Sequence, residues 1–213
     1  MPGLQGAGGR AHQAQRGSRL LKIYTRKGDD GTTGLLFGGR VAKDSAAIEA
    51  NGAVDEAQAA LGVARAEAEA GSELDGLLVG LERDLYVLMG ELATAPANRV
   101  KLVAGQTLVS GAMVEGLERL IDQLTERFPP VTEFVLPGHD RVSAALDLAR
   151  TLVRRAERRA LPLPLADSMV GAYLNRLSDL LWTMARWQEQ GESLPSRRSP
   201  RSRLPGGRSG PGS

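Results

Sequence analysis

Four charged residues, Arg150, Arg154, Glu157 and Arg158, are spaced i, i+4, i+7 and i+8. On a helix that spacing stacks them along one side. Each guanidinium is a rigid fork of donors suited to phosphate or carboxylate. The row therefore suits a polyphosphate ligand or an acidic partner surface. The alternative is a solvated face with one Arg–Glu pair, which contributes little when exposed. A second stretch with chemical content is TRKGDDGTTGLLFGG, residues 25–39. Gly28, Gly31, Gly34, Gly38 and Gly39 let backbone approach a ligand closely. Thr25, Thr32 and Thr33 add hydroxyls, and Arg26 and Lys27 add charge. Such a loop can cradle phosphates, although no G-K-[ST] follows at Walker spacing. A glycine-rich surface turn is the other reading.

The elements that must hold these residues are helical. Val142, Ala145, Leu146, Ala149, Leu152, Val153 and Ala156 recur at helical spacing beside the arginine row, which predicts a helix over 141–160. A helix is expected from Asp44 to about residue 70, with Ile48, Val54, Leu61 and Val63 as its buried set. Asp55 lies on it as a carboxylate for an arginine or simply for solvent. A second runs to about Thr94, residues 95–108 form a loop, and a third spans about Ser110 to Arg127. The last runs from about Leu165 to Gln190 with Leu174, Leu177, Leu181 and Met184 inward. Asn175, Ser178, Asp179 and Trp182 share an adjoining side of that helix. Phe134, in a loop before Pro137-Gly138, is a core plug or a ligand-facing wall. His139 is expected to face solvent. Short connections and no convincing sheet predict an all-α five-helix bundle, preceded by the glycine-rich loop and a short extended piece at Leu21–Thr25.

Composition narrows the function classes. With no cysteine and two histidines, thiolate and histidine-rich metal sites are excluded or disfavoured, and no metal site made by side chains is expected. No apolar run approaches bilayer length. The basic pI misleads: residues 1–28 and 197–213 carry six and five Lys/Arg without an acid, whereas 29–196 hold 16 basic and 25 acidic residues. Nucleic-acid binding by the folded body is therefore disfavoured. Residues 1–20 and 193–213 read as disordered extensions around one domain, 21–192. The location expected is cytoplasmic, or the mitochondrial matrix if the Arg-rich start is a transit peptide.

Three stretches, IYTRKGDDGTTGLLFGGRVAKD (23–44), VLPGHDRVSAALDLARTLVRRAERRA (135–160) and YLNRLSDLLWTMAR (173–186), together resemble the PduO-type ATP:cob(I)alamin adenosyltransferases, supported by EANGAVDEAQAALG (49–62). The resemblance covers about residues 22 to 190. It implies a homotrimer with active sites between subunits. It also implies transfer of the 5′-deoxyadenosyl group of ATP, with Mg²⁺, to cob(I)alamin, releasing triphosphate. By position, Thr25, Arg26, Lys27, Gly28, Asp29, Thr33 and Lys43 would hold the nucleotide with Arg154, Arg155, Glu157, Arg158 and Asn175. Phe134, Trp182 and Asp179 would meet the corrinoid. Arg154 and Phe134 would be the catalytic residues, and Arg150 would pair with Asp55 across a subunit boundary. The sequence departs from the family's usual residues at Asn51, Gln58, His139, Asp147 and Trp182. A reductase and an adenosylcobalamin-dependent mutase or dehydratase are the partners implied. The rival readings are a cobalamin carrier and an ATP-binding relative that does not alkylate cobalt.

Overall fold

The computed structural model describes residues 24–165 and 167–197. Five α-helices dominate: α1 (Ala46–Glu67), α2 (Glu73–Leu92), α3 (Gly111–Thr125), α4 (Arg141–Ala160) and α5 (Val170–Glu189). The all-α bundle expected from periodicity is present. Three of its helices, α2, α3 and α4, start where a side chain satisfies a free backbone N–H group, whereas Ser45 before α1 and Met169 before α5 make no such bond. Ser72 accepts from Asp75 N, Ser110 from Met113 N, and Asp140 forms a reciprocal capping box with Ser143 at the head of α4. Gly71, at φ +76, makes the left-handed turn between α1 and α2.

Three local differences from the sequence reading have physical causes. Pro96, suited to a first helical turn, opens a 3₁₀ helix (Pro96–Lys101) in the stretch expected to be loop. The last helix starts at Val170, not near Leu165, because Ser168 turns the chain there; its Oγ accepts from Val170 N at 3.2 Å and donates to Glu91 Oε1 at 2.6 Å. Two small antiparallel ribbons also form. The first pairs β1 (Thr32–Gly34) with β2 (Arg40–Ala42). The second pairs β3 (Val135–Leu136) with β4 (Leu194–Pro195), so two residues assigned to the tail by composition are paired strand. Leu21–Ile23, most of the expected N-terminal extended piece, lie outside the described residues, as do 1–20 and 198–213.

The core sits between α1 and α4, the most extensive helix pair, and between α4 and α5. Val54 and Leu61 are buried as expected, but Val63 is 53 % exposed and Ile48 is only partly covered. Alanines take their place: Ala50, Ala53, Ala57, Ala60 and Ala64 on α1 face Ala145, Ala149, Ala156 and Ala160 on α4 in one buried cluster. Small side chains let two helices approach closely, so a large β-branched residue stays on the flank. On α5, Leu174, Leu177, Leu181 and Met184 are fully buried, as the spacing requires. Glu91, also fully buried, is matched by Arg99 at 2.8 Å, Val109 N at 2.9 Å and Ser168, tying the middle loops to α2. Among the described residues, no helix is long and apolar enough to cross a membrane.

One polar pair in this core gives a pH test. Tyr173 OH donates to Asp84 Oδ2 at 2.8 Å, joining α5 to α2. Burial pushes the Asp84 carboxyl above its ordinary range, partly offset by the tyrosine hydrogen bond. An acid raised in this way gives its full stability below the unfolded carboxylate pKa and loses it as pH rises through the folded value. Asp84→Asn keeps an acceptor for Tyr173 and cannot ionise. Its thermal midpoint should exceed wild type at about pH 8, with the advantage shrinking toward about pH 3. A midpoint difference that does not vary with pH would count against this assignment.

Candidate functional site

The glycine-rich loop is a compact turn fastened from one side. Arg26 takes the left-handed conformation at φ 61, Asp29 N donates to Arg26 O at 3.4 Å, and Gly31 N donates to Gly28 O at 3.2 Å. Arg40, from β2, reaches back across the loop. Its Nε donates to Thr32 Oγ1 at 2.9 Å, and its Nη2 donates to Thr32 O at 3.2 Å and to Lys27 O. Asp30 Oδ1 accepts from Thr32 N at 2.9 Å and Thr32 Oγ1 at 2.8 Å, and these bonds hold its carboxyl below the usual range. Gly28 sits in a tight place: a Cβ there would stand 3.1 Å from Lys43 Nζ and 3.2 Å from Thr32 O, so the lysine and the loop would have to give by a few tenths of an ångström. The Lys43 ammonium therefore lies against the loop. Thr25 Oγ1 accepts from Lys27 N at 3.4 Å.

The arginine row leaves α4 with two cations uncommitted. Arg154 and Arg158 are exposed, and neither makes an ion pair among the described residues. Their neighbours are engaged: Arg155 pairs with Glu56 of α1, and Arg159 with Glu49 at 3.4 Å. Glu157 accepts from Asn175 Nδ2 at 3.4 Å, and Arg176 donates to Asn175 Oδ1 at 3.0 Å while pairing with Glu118. The Arg159–Glu49 pair brings the last turn of α4 to the first turn of α1. The loop and Lys43 enter the bundle at that same end. The expected nucleotide residues thus belong to two cationic groups at one end of the fold, each organised by its own contacts.

A cavity of about 610 Å³ lies beside the other part of α4, lined by Phe134, Pro137, Arg150, Trp182 and Arg186 among others. Phe134 is 88 % exposed, which removes the core-plug reading. Trp182 is half-buried, with the Arg186 guanidinium 5.7 Å from its ring centroid. Asp179 is exposed, 3.9 Å from Arg176, and is not part of the cavity lining. Arg150 is half-buried with Asp147 Oδ1 3.6 Å from its Nε, while Asp55 is exposed on α1. His139 is exposed, as expected, with its Nε2 3.8 Å from Glu192 Oε2. No group of three or more His, Cys, Asp or Glu side chains among the described residues is arranged to hold a metal.

Sequence reasoning missed several residues here. Arg40 gave no signal, since nothing in its spacing says that it folds back onto Thr32. Arg186 did: an arginine inside LLWTMARW stands in an otherwise apolar run. Its burial at 1 % exposed requires a matched carboxylate, and Asp147 supplies one at 2.6 Å.

Residues 23–188 match the family model for cobalamin adenosyltransferase. A cobalamin adenosyltransferase of Cupriavidus metallidurans is 38% identical over 192 residues, covering 83% of this chain and 100% of that protein. A corrinoid adenosyltransferase of Citrobacter freundii is 40% identical, covering 80% of this chain and 96% of that protein. Among solved structures, a variant PduO-type ATP:corrinoid adenosyltransferase from Lactobacillus reuteri, complexed with cobalamin and ATP, is similar with a TM-score of 0.72 and 29% identity. That match covers 83% of this chain and 97% of the other.

Proposed function

The chain belongs to the cobalamin adenosyltransferase family, and from that premise we propose how its residues transfer the 5′-deoxyadenosyl group of ATP to cob(I)alamin. The Thr25–Thr33 loop with Lys43, and Arg154, Arg155, Glu157, Arg158 and Asn175, hold the nucleotide. Phe134 and Trp182 hold the corrinoid, with Asp179 at its margin. The observation that carries this reading is that α4 borders a cavity walled by Phe134, Pro137 and Trp182 as well as by charged side chains, and also bears Arg154 and Arg158, which have no ion pair among the described residues.

Cob(I)alamin is a strong nucleophile, so no side chain has to act as base or covalent intermediate. A cobalt–carbon bond forms to C5′ as the C5′–oxygen bond breaks, and triphosphate leaves with the electron pair. Arg154 and Arg158, with no ion pair among the described residues, would meet the charge that grows on that leaving group. Arg155 and Asn175, tethered through Glu56 and Glu157, give directional contacts. Magnesium fits as a passenger on the phosphates, where it would neutralise charge; Asp29 and Glu157 are the carboxylates of this set.

Assembly follows from the same helix. Arg150 is only half-buried, with Asp147 Oδ1 3.6 Å from its Nε, and Asp55 is exposed on α1, so the rest of the guanidinium and Asp55 fit a contact between subunits of a homotrimer. Asp55→Ala should shift the trimer toward monomer in sedimentation at micromolar concentration. An unshifted distribution would remove the pair from the interface. The location that goes with this reading is the cytoplasm, or the mitochondrial matrix if the Arg-rich start is a transit peptide, with a reductase supplying cob(I)alamin and an adenosylcobalamin-dependent mutase or dehydratase consuming the product.

The direct experiment mixes protein, ATP and chemically reduced cobalamin under anaerobic conditions and follows the visible spectrum. Adenosylcobalamin with stoichiometric triphosphate is expected. Phosphate release without a cobalt–carbon bond would identify an ATPase instead, and corrinoid binding without turnover a carrier.

A further inference from the structure

Beneath the Phe134 cavity lies a set of charges that the reaction does not use directly. Arg186 lines the cavity although it is only 1 % exposed. Its Nη2 donates to Asp147 Oδ2 at 2.6 Å and to Glu189 Oε1 at 2.9 Å, and both carboxylates are buried. Each carboxylate uses its second oxygen to reach outward. Asp147 Oδ1 faces Arg150 Nε at 3.6 Å. Glu189 Oε2 accepts from Ser193 Oγ, at the residue that leads into β4. β4 pairs with β3, and Ser196 N donates to Phe134 O at 2.7 Å. One line of contacts therefore runs from Arg150 through Asp147, Arg186, Glu189 and Ser193 to the backbone of Phe134.

Two cations and two anions alternate along it, so it can be buried without net charge. Stability alone does not explain such a network, since apolar side chains of similar volume often do as well or better. What the network does is join two walls of one cavity. We infer that Arg186 is a positioning residue of the corrinoid site: gripped by Asp147 and Glu189, it sets the distance between Arg150 and the Phe134 loop. The inference rests on the adenosyl-transfer reading of the cavity. A corrin is a broad, rigid disc, and a wall displaced by about 1 Å can cost on the order of a hundredfold in rate.

Two variants test it. Asp147→Leu, Arg186→Met and Glu189→Leu combined removes the buried charges while keeping bulk. Ser193→Ala cuts only the link to the strap. In the triple variant the KM for cob(I)alamin should rise by about ten- to a hundredfold. The KM for ATP and the thermal midpoint should stay near wild type. Ser193→Ala should show the same split in weaker form. A folded triple variant with unchanged corrinoid KM would overturn the inference. Should the triple variant not fold, Arg186→Lys, which keeps charge but loses the fork, takes its place with the same split expected and the same unchanged KM as the refuting result. Wild-type protein that makes no adenosylcobalamin would refute the functional reading instead. Corrinoid binding, followed by quenching of tryptophan emission in wild type and variants, would still decide whether the network positions the cavity.

Discussion

Arg154→Ala should lower kcat/KM for adenosylation by on the order of 10²–10³, about 2.7–4 kcal/mol, the range seen when one preorganised donor to a developing anion is lost. The size of the effect follows from what Arg154 lacks. It is exposed and has no ion pair among the described residues, unlike Arg155 beside it, which Glu56 already holds. Nothing in the fold depends on its charge, so the thermal midpoint should not move. Arg154→Lys should recover only part of the loss, because a point charge cannot reproduce the two-pronged contact of guanidinium with phosphate. The loss should appear in kcat as well as in kcat/KM, since the negative charge on triphosphate grows only as the C5′–oxygen bond breaks. Near-normal turnover in the alanine variant would return Arg154 to the solvated surface.

Phe134→Ala separates corrinoid chemistry from nucleotide binding. At 88 % exposed, the side chain has little burial to lose. The variant should melt within a few degrees of wild type, whereas truncating a core phenylalanine costs about 3–5 kcal/mol. ATP affinity should also be unchanged. Turnover starting from Co(II) should fall by about a hundredfold, the scale on which exclusion of water and reactive geometry act. Reduction to Co(I) is hard while an axial base donates electrons to the metal, and a large apolar ring against the lower face keeps base and water away. The bound Co(II) spectrum should therefore show less of the four-coordinate form. A destabilised variant with an unaltered cobalt spectrum would mean that Phe134 packs against protein and not against ligand.

Periodicity made the helices legible because each has one face that must be dry. It located α4 to the residue and found the buried leucines of α5. It misread α1, where alanines carry the contact: a stripe of small residues has little hydrophobic contrast, so Val63 looked like core and is half open. The candidate site divided the same way. Arg154, Arg158, Phe134 and Trp182 could be named from residue type and from the resemblance. Arg40 and the Asp147–Arg186–Glu189 network could not be assembled: Arg40 meets Thr32 only through the turn of the first ribbon, and Arg186, odd in its apolar run, finds Asp147 on another helix, contacts fixed by packing. The second ribbon was hidden for another reason: Leu194 and Pro195 sit in a composition that reads as tail, and only their pairing with Val135 and Leu136 gives them a role.

The alanine seam between α1 and α4 has a consequence for how such a sequence can change. Alanine is usually a permissive residue, replaced at little cost. Here Ala57, Ala149 and Ala156 are fully buried in the core that the two packed helices share. One added methylene can be absorbed only by forcing α4 outward, and overpacking of this kind costs about 1–3 kcal/mol. Because α4 carries Arg150 on the cavity side and the exposed Arg154 and Arg158 farther along, that displacement would move together the contacts proposed for both substrates. Selection for catalysis therefore reaches residues that touch neither substrate, and the smallest side chains of the fold should be among its slowest to drift.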